Sequence, residues 1–105
     1  MNLSEVEVVN NSENNQFEIR IKNLIAKILY NIKDDSIGFF HTHVPEEWRG
    51  KGIAKKMTEC ALNYAKDNNL KVLPYCSFVA KYIENHQEWE PYLHIRKGRE
   101  VKQKT

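Results

Sequence analysis

The chain has 105 residues; that length predicts one compact domain with one core and leaves no room for a separate substrate domain. Hydrophobic residues make up 41% and charged residues 29%, an ordinary composition for a water-exposed globule. The formal net charge is only +2, which by itself singles out neither nucleic acid nor an anionic membrane as a partner.

Val6 to Val9 is a short apolar stretch, read as a first strand, and the Asn-rich run from Asn10 to Asn15 is a turn-forming break. Phe17-Glu18-Ile19-Arg20-Ile21-Lys22 alternates strictly and predicts a half-buried strand. Leu24 to Lys33 fits both a helix face and period two through Ile28, Tyr30 and Ile32. A strand is preferred because Asp34-Asp35-Ser36 reads as a hairpin turn into the β-rich run Ile37 to Val44, which Pro45 ends. Residues 51–67 switch to helical period, with Ile53, Met57, Cys60, Ala61 and Tyr64 inward. Lys71-Val72-Leu73 is a short strand stopped by Pro74. A second helix is expected from Ser77 to Asn85, with Phe78, Val79, Tyr82 and Ile83 inward and Ser77 as its cap. The order β-β-β-β-α-β-α, hairpins followed by one crossover, predicts an α+β fold with a mixed, mostly antiparallel sheet and two main helices over residues 1–93. The stretch from His94 to Thr105 carries five Lys/Arg and one Glu; it is expected to be a basic, solvated tail.

No apolar run approaches the roughly 18–20 residues of a membrane span, and the first residues lack a signal peptide's basic start and apolar stretch. Cys60 and Cys76 form no disulfide framework, which points to a reducing, cytoplasmic setting. The four His and two Cys show no zinc-site spacing, so no metal is expected. The basic tail has no aromatic residues interleaved with it, so a nucleic-acid partner is not favoured.

The chemistry concentrates in Arg49-Gly50-Lys51-Gly52-Ile53-Ala54, where a strand ends, a short loop follows and an amphipathic helix begins. Glycines permit close backbone approach, and the helix start offers unpaired N–H groups with a partial positive charge, which suits a phosphate. Neither the P-loop string nor the full dinucleotide fingerprint is present, since Lys55 occupies the third glycine position.

This segment resembles the acetyl-CoA pyrophosphate loop of the GNAT superfamily of N-acetyltransferases, with pattern Q/R-x-x-G-x-G/A; Glu47 stands at the leading position, a departure. His41-Thr42 with Val44-Pro45, the glycine loop, Leu73-Pro74-Tyr75-Cys76-Ser77-Phe78-Val79, Tyr82-Ile83 and His86 together resemble the minimal GNAT-like, YjdJ-type family over about residues 16–93. The resemblance implies acetyl transfer from acetyl-CoA to a primary amine, on a small molecule or a protein. It places the diphosphate on the N–H groups of Gly50 to Ala54, with Arg49 and Lys51 beside it. A backbone N–H near Val44 would face the thioester carbonyl, and the pantetheine arm would enter a gap that Pro45 opens between the fourth and fifth strands. Cys76 would lie at the acetyl group, as nucleophile or as acid for the leaving thiolate.

His41 is the side-chain candidate for base or substrate positioning, because imidazole titrates near neutral pH. On a regular strand His41 and His43 would share a face with Phe39, and Thr42 and Val44 would point the other way. Cys60 reads as core, and Trp48 as a shield for the loop or as packing. An alternative function is a CoA-binding or acyl-carrying module with little catalysis, and the expected state is a monomer or weak dimer.

Overall fold

Alternation in the first half of the chain becomes four antiparallel strands in the computed structural model, which describes residues 3–94. Most of the expected basic tail, from residue 95 on, lies outside the described residues. The strands are β1 (Val9–Asn11), β2 (Gln16–Ile21), β3 (Leu24–Lys33) and β4 (Ser36–His43). Helix α1 (Ile53–Asp67) then leads to β5 (Lys71–Pro74), and helix α2 (Ser77–Glu84) follows. The sheet runs β1-β2-β3-β4-β5 in space, with only β4 and β5 parallel. Helix α1 is the crossover that a parallel pair requires.

The segment 24–33 is a strand because only that arrangement buries Ala26, Ile28 and Tyr30 together. They join Phe17 and Ile19 of β2, Ile37 and Phe39 of β4 and Val72 of β5 on one face of the sheet. Helix α1 covers that face with Ile53, Met57, Ala61, Leu62 and Ala65, and α2 with Val79, Tyr82 and Ile83. Cys60 and Tyr64 are half-buried at the edge of the same stripe. The described helices therefore lie over one face and leave the other uncovered.

Three expectations are corrected. The first strand is Val9–Asn11, not Val6–Val9. Val6 and Val8 pack at the edge of the core, while the Asn side chains serve the strand. Asn10 Oδ1 accepts a bond from the buried Tyr30 hydroxyl at 2.7 Å, and Asn11 Nδ2 reaches Glu18 at 3.3 Å. Helix α1 begins at Ile53 rather than 51, because Gly52 is left-handed. Phe78 is 40% exposed rather than buried.

A β-bulge sets the geometry that follows. Tyr30 pairs with Phe39, but Leu29 pairs with His41, so Phe40 is an extra residue on β4. A bulge inserts one residue and reverses the alternation beyond it. Thr42 therefore shares the helix-covered face with Phe39 and Ile28, while His41 and His43 point to the uncovered face with Leu29 and Lys27. This overturns the expectation that the histidines lie on the Phe39 side.

After the second helix the chain makes a 3-10 turn (Gln87–Tyr92) and returns to the outer edge of β5. There Leu93 bridges Val72 and the His94 N–H donates to Val72 O at 2.8 Å.

Phe17 is 1% exposed and packs against the rings of Tyr30 and Tyr64 at centroid distances of 5.2 and 5.5 Å. Phe17→Ala should lower the unfolding free energy by about 3–5 kcal/mol in denaturant titration. A loss below about 1 kcal/mol would show that β2 and α1 do not share this core.

Candidate functional site

Beyond β4 the chain forms a short turn over Glu46–Trp48, pinned by the Trp48 N–H to Pro45 O at 2.9 Å. Trp48 is 6% exposed and roots the turn in the core, while Arg49 folds back so that its Nε donates to Val44 O at 3.3 Å. Gly50 and Gly52 have φ of 78° and 83°, a conformation most side chains resist. The first intrahelical bond of α1 runs from the Lys56 N–H to Gly52 O at 3.0 Å. The N–H groups just before it have no partner within the helix and carry the positive end of the helix dipole.

These groups open on a cleft of about 290 Å³ lined by Val44, Trp48, Arg49, Gly50, Gly52, Ile53, Ala54, Lys55 and Phe78. Of the expected cofactor-binding positions, Lys51 does not line the cleft; it is exposed beside it. The loop fits a diphosphate: its two left-handed glycines keep side chains off the backbone, and Arg49 and Lys55 supply charge. Lys55 and Phe78 also line a second cleft of about 400 Å³ with Ser77, Lys81, Tyr82, Asn85 and His86, so the two clefts are contiguous. Phe78 is exposed because it forms their shared wall. Its i, i+4 spacing with Tyr82 imitates a core residue, so helical periodicity cannot reveal this role.

The expected gap between β4 and β5 is present, but it opens earlier than Pro45. Along β4, β5 pairs with Ser36 to Phe39 and goes no further. Pro74, opposite Phe39, has no N–H for the ladder. The Tyr75 N–H turns back to Leu73 O at 3.0 Å, and the Cys76 N–H makes the last contact, to Phe39 O at 2.7 Å. Cys76 then caps α2, with no side-chain cap bond, and Ser77 is the helix's first residue rather than its cap. Among the described residues, no strand pairs with β4 on this side from Phe40 to His43, while His41, Thr42 and His43 pair with β3 on the other.

The gap brings Cys76 and Thr42 together: the thiol is 6% exposed and its Sγ lies 2.9 Å from Thr42 Oγ1. Thr42 belongs to the string that carries the family resemblance, but its contact with Cys76 is not readable there, since it spans 34 residues and depends on the bulge. His41 and His43 flank the same stretch of β4 from the opposite face. Cys60 is separate from this site, half-buried on α1, and burial raises its thiol pKa. Among the described residues no group of three His, Cys, Asp or Glu side chains gathers to hold a metal ion.

Tyr82 stabilises the second cleft. Its hydroxyl donates to Glu59 Oε2 at 2.9 Å and its ring stacks on His86 at 3.9 Å, whose Nδ1 lies 2.8 Å from Tyr82 O. Burial, then the bond to Glu59 and the charges of Glu59 and Glu88, push its pKa up to about 12.

A family model described as GCN5-related N-acetyl-transferase matches residues 16–92. The chain is 28% identical over 86 residues to Protein NATD1 of Xenopus tropicalis, covering 79% of each chain. It is 29% identical over 84 residues to Protein NATD1 of Homo sapiens, covering 77% of this chain and 74% of that protein. A solution structure of a GCN5-like putative N-acetyltransferase from Staphylococcus aureus superimposes with a TM-score of 0.69 at 29% identity, covering 90% of this chain and 93% of that one.

Two outcomes follow for stability. A Cβ at Gly50 meets nothing within 4 Å, whereas one at Gly52 lies 3.1 Å from Leu3 Cδ1. Gly50→Ala should therefore cost only the backbone term, about 1–2 kcal/mol, and Gly52→Ala more, as read by thermal or urea unfolding. Tyr82's neutral form is favoured by folding, so its contribution is complete below pH 10 and is lost as pH rises through about 12. Tyr82→Phe should lower stability at neutral pH and flatten the decline between those values; an unchanged alkaline slope would contradict the assignment.

Proposed function

This chain belongs to the GCN5-related N-acetyltransferase family and is an acetyltransferase, and we propose that it transfers acetyl from acetyl-CoA to a primary amine in the gap between β4 and β5. The observation that carries the reading is the succession along the chain of a β4 edge that β5 leaves uncovered, with Cys76 against Thr42, then Val44 and the glycine loop lining one cleft.

The loop N–H groups from Gly50 to Ala54 and the Arg49 guanidinium would hold the diphosphate. The contiguous cleft with Lys55 and Lys81 at its margin would accept the nucleotide end. The unpaired edge of β4 would pair with the peptide-like pantetheine arm, as a strand edge accepts an added strand. Bound acetyl-CoA supplies a thioester whose carbonyl carbon an amine can attack. A backbone N–H near Val44 would face the carbonyl oxygen and stabilise its developing charge.

The Thr42 contact favours one role for Cys76 over the other. A nucleophilic thiol needs a base beside it, and the partner of Sγ is a hydroxyl, while His41 faces the other side of the sheet. Cys76 is accordingly the proton donor for the departing thiolate. As the amine displaced the thiolate, Cys76 would give its proton to the departing sulfur and His41 would take the amine's proton on the acceptor side.

Titration with acetyl-CoA should shift the amides of Gly50–Ala54 and of Thr42–Val44; loop amides that stay in place would sink the reading. Incubation with acetyl-CoA alone should leave the intact mass unchanged, and Cys76→Ala should lower amine turnover by about 10²–10⁴-fold. A stable acetyl adduct that disappears in Cys76→Ala would instead support the acyl-carrying module.

A further inference from the structure

The uncovered face of the sheet carries an aromatic pair placed directly against the gap. Phe40 and Tyr75 stack with ring centroids 5.1 Å apart and planes 9° from parallel, although they are 49% and 55% exposed. Phe40 is the bulge residue, two positions before Thr42, and Tyr75 immediately precedes Cys76. The pair sits over Gly38. Ile37 and Phe39 face the core, so the missing side chain of Gly38 points to the uncovered face. A Cβ there would stand 3.1 Å from Tyr75 Cε2 and 3.3 Å from Phe40 Cζ, tighter than most contacts of its kind. Glycine is thus what lets both rings lie against the strand. Two large rings held together in solvent forgo burial that folding usually exploits, and such patches mark recognition surfaces.

The charge around the pair narrows what it recognises. Register and alternation place Arg20, Lys27, Lys33 and Lys71 on this face, with His41 and His43 between them. Among the described residues the strands contribute one carboxylate here, Glu18. It is already engaged by Gln16 Nε2 at 2.7 Å, Asn11 Nδ2 at 3.3 Å and Arg20 at 3.5 Å, contacts that hold its pKa below the ordinary value. A polycationic acceptor would meet like charge. A flat ring would meet the stack, and an anionic group would meet the lysines.

We propose that the Phe40–Tyr75 stack over Gly38 is the acceptor platform, and that the acceptor is a small aromatic amine bearing a carboxylate or phosphate. This rests on the acetyl-transfer reading: the ring lies on the stack, the anion near Lys27 or Lys71, and the amino group reaches the gap past His41 on the side opposite the glycine loop.

The test uses the full chain and four probes. Phenylalanine carries the carboxylate, pyridoxamine 5′-phosphate carries the phosphate, and spermidine and a lysine-rich peptide are the contrasting polycations. Amide-shift mapping without acetyl-CoA addresses the platform independently of the cofactor site. One or both aromatic acids should shift Gly38, Phe40, His41 and Tyr75, and which of them does so identifies the anion. With acetyl-CoA present, that probe should be acetylated with a KM about tenfold below that of spermidine. Tyr75→Ala removes an exposed ring and should raise that KM about tenfold, with the Kd for CoA unchanged. Gly38→Ala displaces both rings and should act in the same direction. The proposal is overturned if neither aromatic acid shifts these residues, if spermidine or the peptide is the better acceptor, or if Tyr75→Ala leaves KM where it was. Shifts on the platform without any at Gly50–Ala54 on adding acetyl-CoA would overturn the cofactor site instead and leave the platform standing.

Discussion

β4 outruns its parallel neighbour, and the rest of the site depends on that mismatch. β5 stops at Pro74, which has no N–H to continue the ladder, and the chain turns through Tyr75 and Cys76 into α2. β4 goes on through Phe40, His41, Thr42 and His43 before Pro45 lets the glycine loop begin. A strand edge with unpaired backbone groups is ordinarily a hazard. Here it is short, it lies between the loop and the Cys76–Thr42 contact, and it leads to a cleft of the chain's own making.

The bulge at Phe40 gives the gap two chemically different sides. It turns Thr42 toward the helices and Cys76, and it turns His41 and His43 toward the open face. A regular strand would have put His41 with Phe39, over the core. The resulting division suits a transfer between two molecules. The helix side has the loop, the cleft and the thiol, and the open side has the imidazoles, the lysines and the aromatic pair.

Much of this was legible in the chain itself. Alternation located β2, the hairpin turn at Asp34-Asp35-Ser36 decided β3 as a strand and led into the β-rich run of β4, the glycines and the Arg49–Ala54 string located the loop, and Cys76 stood out by its place between a strand and a helix. The face assignments were not legible. Phe39 and Phe40 are identical residues with opposite fates, one at 0% exposure and one at 49%, and nothing local announces a bulge between them. Phe78 fits a core stripe but lines a cleft. Thr42, Lys55 and the Gly38 seat depend on contacts between distant parts of the chain. Of the Asn-rich break, residues 12–15 do form the turn, but Asn10 and Asn11 complete β1, their side chains bonded to Tyr30 and Glu18.

We propose that acetyl-CoA occupies the edge of β4 that β5 leaves uncovered beyond Phe39. Hydrogen exchange of the amides from His41 to Val44, with and without CoA, tests it most directly. Those paired with β3 should be protected in both states, while those directed at the gap should exchange quickly in the free protein and slow when CoA is added. Uniform protection before CoA is added, or no change afterwards, would contradict the account.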